Sequence, residues 1–143
     1  MFQNAKSMLE YNIKKINGCV VKIPRRGFEF KVERDAKLFN FLRDITPPTC
    51  YDNKRNIIIQ KYIEGRNPTD KELEHIRKEI EMRGVIPRGI TKSDVIIDKY
   101  GKFYLVDVGN FEIKASDYHK AKIPYCDKTF YNKTCKIKDN GNN

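Results

Sequence analysis

Two aspartates have the types and spacing to do chemistry. Asp94 opens the run Asp94-Val95-Ile96-Ile97, and Asp107 closes Phe103-Tyr104-Leu105-Val106-Asp107, with Lys99-Tyr100-Gly101-Lys102 as a turn between them. If the two apolar runs pair antiparallel across that turn, both carboxylates come to the same end of a hairpin. A pair of acids held there suits a metal ion or a metal-phosphate. An ordinary hairpin with solvated acids has the same pattern, so the elements that position this stretch, Gly84 to Gly109, carry the rest of the reading.

Upstream, Tyr11 to Ile16 and Cys19 to Ile23 read as strands joined by Asn17-Gly18, the preferred pair for a type I′ turn. Phe28 to Leu42 fits a helix, with Phe28, Val32, Asp35/Ala36, Phe39 and Leu42 at spacings of three and four. Pro47-Pro48 breaks the chain before two further strands, around Thr49 to Tyr51 and Asn56 to Ile63. Thr69-x-x-Glu72 can form a capping box opening a helix to about Arg83, with Leu73, Ile76 and Ile80 inward and Gly84 as its stop. After Gly109 the periodicity fades. The aromatics there are expected to pack the tail on the second helix, with Lys138 to Asn143 frayed.

The chain has 143 residues and a formal charge of +10, which favours acidic partners: nucleotides, nucleic acid or acidic proteins. Lysines interleaved with Tyr118, Tyr125 and Tyr131 could neutralise and stack on a nucleic-acid strand. No apolar run approaches the roughly 20 residues of a membrane span, and the N-terminal residues lack a signal-peptide core, so a cytoplasmic location with no membrane partner is expected. Cys19, Cys50, Cys126 and Cys135 show no C-x-x-C pair and no histidine at zinc-ligand spacing. Reduced thiols are expected, with a Cys126–Cys135 bridge left open.

This order of elements resembles a protein kinase reduced to a small size, close to short bacterial serine/threonine-kinase-like proteins. Val20-Val21-Lys22 resembles the strand lysine that holds the nucleotide phosphates, and Gln60-Lys61-Tyr62-Ile63-Glu64-Gly65 resembles the hinge. Asp107-Val108-Gly109 stands where the family has D-F-G, and Asp94 stands where it has a metal-binding Asn. The resemblance implies an α+β, protein-kinase-like fold. Residues 1–65 would form a small β-rich N-lobe with one C-type helix, and residues 66–143 a truncated, mainly helical C-lobe carrying the 84–109 hairpin and a basic aromatic tail. It also implies ATP and Mg²⁺ as cofactors: phosphates on Lys22, adenine on the backbone of Gln60, Lys61, Tyr62 and Ile63, and metal on Asp107 and Asp94. The helix acid partnering Lys22 is Asp35 by apolar spacing or Glu33 by side-chain length.

The departures from the family fall on catalysis. Gly89 occupies the position of the catalytic Asp, five residues before Asp94. A general base contributes roughly 10²- to 10⁴-fold in rate, which glycine cannot supply. Ala5-Lys6-Ser7-Met8-Leu9 replaces the Gly-rich loop, and no A-P-E segment follows Gly109. The expectation is a nucleotide-binding, catalytically weak or inactive pseudokinase that acts by binding a protein partner. An active minimal kinase with a rearranged base, and a basic nucleic-acid-binding module, are the alternatives.

Overall fold

The computed structural model describes residues 9–135; the Ala5 to Met8 stretch and the Lys138 to Asn143 end lie outside the described residues. Strands β1 (Tyr11–Ile16) and β2 (Cys19–Pro24) form the expected hairpin. Asn17 and Gly18 have φ of 49° and 82°, the two positive values that a type I′ turn requires. Strands β3 (Thr49–Asp52) and β4 (Ile57–Lys61) complete an antiparallel sheet of order β1-β2-β4-β3.

Helix α1 (Val32–Phe41) follows a 3₁₀ turn at Glu29–Lys31 and buries Val32, Asp35, Ala36, Leu38 and Phe39. It lacks a side-chain cap at its N-terminus. Packing therefore holds it, as its ordinary helix propensity suggests. Past its end, Thr46 Oγ1 donates to the Phe39 carbonyl at 2.9 Å, satisfying a carbonyl that the last turn leaves open.

Helix α2 (Asp70–Glu81) begins with the capping box read from the sequence. Thr69 Oγ1 accepts from the Glu72 amide at 3.2 Å and Glu72 Oε1 from the Thr69 amide at 2.9 Å. It buries Ile76 and Ile80 and stops before Gly84. Gly84 has φ +80°, and a Cβ there would come within 2.7 Å of Ala115 Cβ.

Four short strands in two antiparallel ladders follow. Strand β5 (Val85–Ile86) pairs with β8 (Glu112–Ile113), and β6 (Val95–Ile97) pairs with β7 (Phe103–Leu105) in the register Val95↔Leu105, Ile96↔Tyr104, Ile97↔Phe103. The Val106 amide donates to the Asp94 carbonyl at 2.8 Å, extending that ladder to the two acids.

The fold is thus mixed α+β, but residues 66–135 are not mainly helical. Beyond α2 they hold 3₁₀ turns at Lys92–Asp94 and Tyr118–Lys120 and a last stretch made of α3 (Lys128–Phe130) and a π turn (Tyr131–Cys135). The physical reason is that residues 110–127 spend their backbone bonds elsewhere, first on β5 and then on the N-terminal sheet. One core runs through both halves, from Tyr11, Val32 and Phe39 to Ile80, Leu105, Val108 and Phe111. No helix among the described residues is long and apolar enough to cross a membrane.

The tail departs most from expectation. Rather than packing on α2, it crosses to the sheet. Tyr118 stacks edge-on against Phe41 of α1 at 5.3 Å between centroids. Tyr125 bridges to Tyr51 of β3, where the Tyr51 amide donates to the Pro124 carbonyl at 2.7 Å and the Cys126 amide to the Tyr51 carbonyl at 3.0 Å. Disulfides Cys19–Cys135 and Cys50–Cys126 fasten it there. The cysteines are therefore neither reduced nor joined 126 to 135. Strand alternation explains the pairing: Cys19 and Cys50 lie with Ile57 and Ile59 on the sheet face away from α1, and Cys126, Phe130, Tyr131 and Cys135 cover that face.

Candidate functional site

Lys22 is inward on β2, in register between Ile13 and Ile58, and is 2% exposed. Its Nζ donates to the carbonyl of Val106 at 2.5 Å and lies 4.9 Å from the centre of the Phe39 ring. A lysine on the second strand thus reaches the residue before Asp107, 84 positions away. Burial pushes its pKa down, and the fields of Asp107, Asp35, Asp94 and Glu10 oppose that. The Lys22 amine is thus buried within the fields of four acids.

Asp35, also buried, faces this centre from α1, whereas Glu33 is exposed. Burial thus separates the two candidate acids, Asp35 inside and Glu33 outside. Asp35 nevertheless does not bond Lys22. Its Oδ2 accepts from Tyr11 Oη at 2.6 Å and its Oδ1 from Arg34 Nη1 at 3.1 Å. Burial raises the pKa of Asp35, and burial with the nearby Asp35 charge raises that of Tyr11.

Asp94 and Asp107 come to the same end of the β6–β7 hairpin, and both are buried. Asp94 Oδ2 accepts from the Thr91 amide at 2.8 Å, closing the turn that starts β6. Asp107 Oδ1 accepts from the Gly109 amide at 3.0 Å. The described residues hold no group of three or more His, Cys, Asp or Glu side chains placed for a metal. Mg²⁺ does not demand one, since it is usually held by one or two carboxylates with phosphate oxygens and water. The oxygen donors of Asp94 and Asp107 suit that ion. Gly89, upstream, has φ +72°, a left-handed conformation that costs most side chains energy and glycine little.

The hinge-like strand forms one wall of a cleft of about 130 Å³, which Val20, Lys22, Gln60, Lys61, Tyr62, Ile63 and Val106 line together with Gly65, Asn67, Ser93 and Ile96. Two of the backbone donors expected to meet adenine are already used: the Lys61 amide donates to Pro48 O and the Tyr62 amide to Gly18 O, both at 2.9 Å. Gln60 is occupied as well, its Nε2 donating to Thr49 Oγ1 at 2.9 Å. Ile63, just beyond β4, lines the cleft, and its amide has no backbone partner among the described residues. Gly65 lets the strand turn under the cleft, where Arg66 and Ile97 exchange hydrogen bonds of 3.0 and 2.7 Å.

Several residues of this site escape a reading of motifs. Lys31 and Arg34, three apart on one side of the helix segment, hold the loop after Asp107. Lys31 Nζ reaches Glu10 Oε1 at 3.0 Å and the Gly109 carbonyl at 3.3 Å. Arg34 donates to the Gly109 carbonyl at 3.1 Å and to the Phe111 carbonyl. Asn67 Nδ2 ties Lys92 O and Val95 O, both at 3.0 Å. The i, i+3 spacing of Lys31 and Arg34 is visible in the sequence, but nothing local names carbonyls some 75 residues away as their acceptors.

No protein-family profile matches the chain, and no curated protein matches it significantly.

Proposed function

We propose that this chain is a kinase-like nucleotide-binding domain in which phosphotransfer is weak or lost, and that it works by binding a partner. The observation that supports it is the single cleft that joins Lys22, the hinge-like Gln60 to Ile63, and Val106 at the threshold of Asp107. Those segments lie far apart in sequence, and Lys22 and Gln60 to Ile63 are the positions where the resemblance implies nucleotide contacts. At about 130 Å³ the cleft is smaller than the roughly 300–1,000 Å³ of ordinary ligand sites, so it suits a base-sized group, with phosphates extending outward.

The electrostatics set a condition on that binding. Phosphates near Lys22 would also meet the fields of Asp107, Asp35, Asp94 and Glu10. Bound Mg²⁺ would supply the charge that makes a triphosphate acceptable there, with Asp107 and Asp94 as the residues to hold it. Lys22 would have to exchange the Val106 carbonyl for a phosphate oxygen. With glycine at 89, the chain offers no carboxylate there to take a proton from an acceptor hydroxyl. The charge of +10 makes an acidic protein surface the favoured partner.

The cytoplasmic placement belongs to the same reading, and the two disulfides weigh against it, because such bonds persist mainly in oxidising compartments.

Thermal unfolding with ATP, with and without Mg²⁺, tests the proposal. A ligand at 100 times its Kd adds about 2.7 kcal/mol of stability. For a domain of this size that raises Tm by roughly 5–10 °C. The rise should require Mg²⁺ and shrink in Lys22→Met and Asp107→Asn. Absence of any rise, or a full rise in both variants, would remove nucleotide binding.

A further inference from the structure

A second cavity, of about 460 Å³, lies behind the hinge-like strand. Its size falls within the usual range for small-molecule sites, roughly 300–1,000 Å³. Three cations from three separate segments line it: Arg43 from the loop after α1, Lys61 at the end of β4, and Lys102 from the β6–β7 turn. Its lining includes no Asp or Glu. Among the described residues none of the three is in an ion pair, although Arg66, Arg83 and Arg88 each have a carboxylate partner. Arg43 reaches only the Asn40 carbonyl, at 3.4 Å, and Lys102 Nζ lies 5.0 Å from the Tyr104 ring centre. The neighbouring Asp44 is held instead by Arg83 at 2.7 Å.

Asp44 feels the charge of Arg43 but is ion-paired to Arg83; cations converging on one cavity repel one another, and an anion seated between them lowers that cost. The remaining wall mixes the polar Asn40, Thr46 and Thr49 with Phe39, Tyr104 and Phe130, which supply aromatic surface. We infer that this cavity binds a small aromatic phosphate monoester, its dianion toward Arg43, Lys61 and Lys102 and its ring against Tyr104 and Phe130. The inference does not rest on nucleotide binding in the first cleft, with which it shares only Lys61 and Ile63. Phe130 belongs to the tail that the disulfides fasten, so the aromatic wall is complete only in the oxidised fold.

The test is an amide-resolved NMR titration of the full chain at low salt with phenyl phosphate, adenosine monophosphate, inorganic phosphate and adenosine. Phenyl phosphate should move the amides of Arg43, Thr46, Lys102 and Phe130. Inorganic phosphate and adenosine, each carrying half of the recognised chemistry, should bind at least about 10-fold more weakly. Comparable binding of adenosine monophosphate would make nucleotides the source of the ligand, and preference for phenyl phosphate would make it a simple aryl phosphate. Arg43→Ala with Lys102→Ala should weaken binding roughly 10-fold or more, since charge-assisted contacts are lost. Lys71→Ala with Lys78→Ala, an equal loss of charge on α2 outside the lining, should leave it unchanged. The inference falls if phenyl phosphate leaves those amides unmoved, if inorganic phosphate binds as tightly as the esters, or if the double variant binds like the wild type.

Discussion

Removing the Cys19–Cys135 bridge, as Cys19→Ala with Cys135→Ala, should destabilise the protein by about 2–4 kcal/mol. The two bridges span 116 and 76 residues, and the second is nested inside the first. Alone, a bridge of the longer span would restrict the unfolded chain by about 5 kcal/mol in the chain-entropy account. With Cys50–Cys126 intact, however, the ring that Cys19–Cys135 closes runs only through residues 19–50 and 126–135. That ring of about 40 positions lowers the value to about 4 kcal/mol, and measured bridges commonly deliver somewhat less. With a urea m-value of about 2 kcal/mol/M, the midpoint should fall by roughly 1–2 M. Equilibrium urea unfolding of both proteins, after peptide mapping of the linkages under thiol-blocking conditions, measures this. Four free thiols, a 126–135 linkage, or a midpoint shift below about 0.5 M would refute the tail arrangement that brings Phe130 to the larger cavity.

Gly65→Ala should cost about 2–4 kcal/mol, because its Cβ would sit 2.2 Å from the Ile97 carbonyl oxygen and would force apart the Arg66–Ile97 hydrogen bonds. Thermal melts should show it, and a loss below 0.5 kcal/mol would contradict the close approach. Thr69→Ala, which removes the α2 cap, should cost about 1 kcal/mol by urea unfolding. The acid side of that cap is pH-sensitive: Glu72, held by Arg66 and the Thr69 amide, has its pKa lowered to about 2, so its contribution is present above pH 4.5 and fades as pH falls toward 2. Wild type should therefore lose more stability than Glu72→Gln over that interval, and parallel pH profiles would argue against the pairing. Lys22 acts with the same sign in an alkaline window. Its folded pKa lies below 10.5, so the unfolded chain binds more protons between the two values and stability rises with pH there. Urea midpoints of wild type relative to Lys22→Met should shift in favour of wild type as pH rises toward 10.5, and a constant difference would mean that Lys22 is not buried.

Local signals in this chain were strong enough to fix its elements. Asn17-Gly18 could satisfy two successive positive φ values cheaply, and Thr69 with Glu72 could cap a helix without outside help. The antiparallel placement of Asp94 and Asp107 followed from two apolar runs and a glycine turn, and spacing along α1 put Asp35 on the inner face while side-chain length kept Glu33 as the alternative. Each of these depends on residues a few positions apart, whose geometry is set by backbone sterics and helix or strand period.

Long-range partners were decided only when the chain closed on itself. The sequence could name Lys22 and Asp35 but not that Val106 would take the first and Tyr11 the second, since a buried polar group accepts whichever partner packing delivers. Nor could it show that the tail would cross to β3. Its cysteines, aromatics and Pro124 have no period of their own, and only a sheet with a second apolar face gives them something to cover. That tertiary choice joined Cys19 to Cys135 and Cys50 to Cys126, and it brought Phe130 to the cavity where Arg43, Lys61 and Lys102 meet.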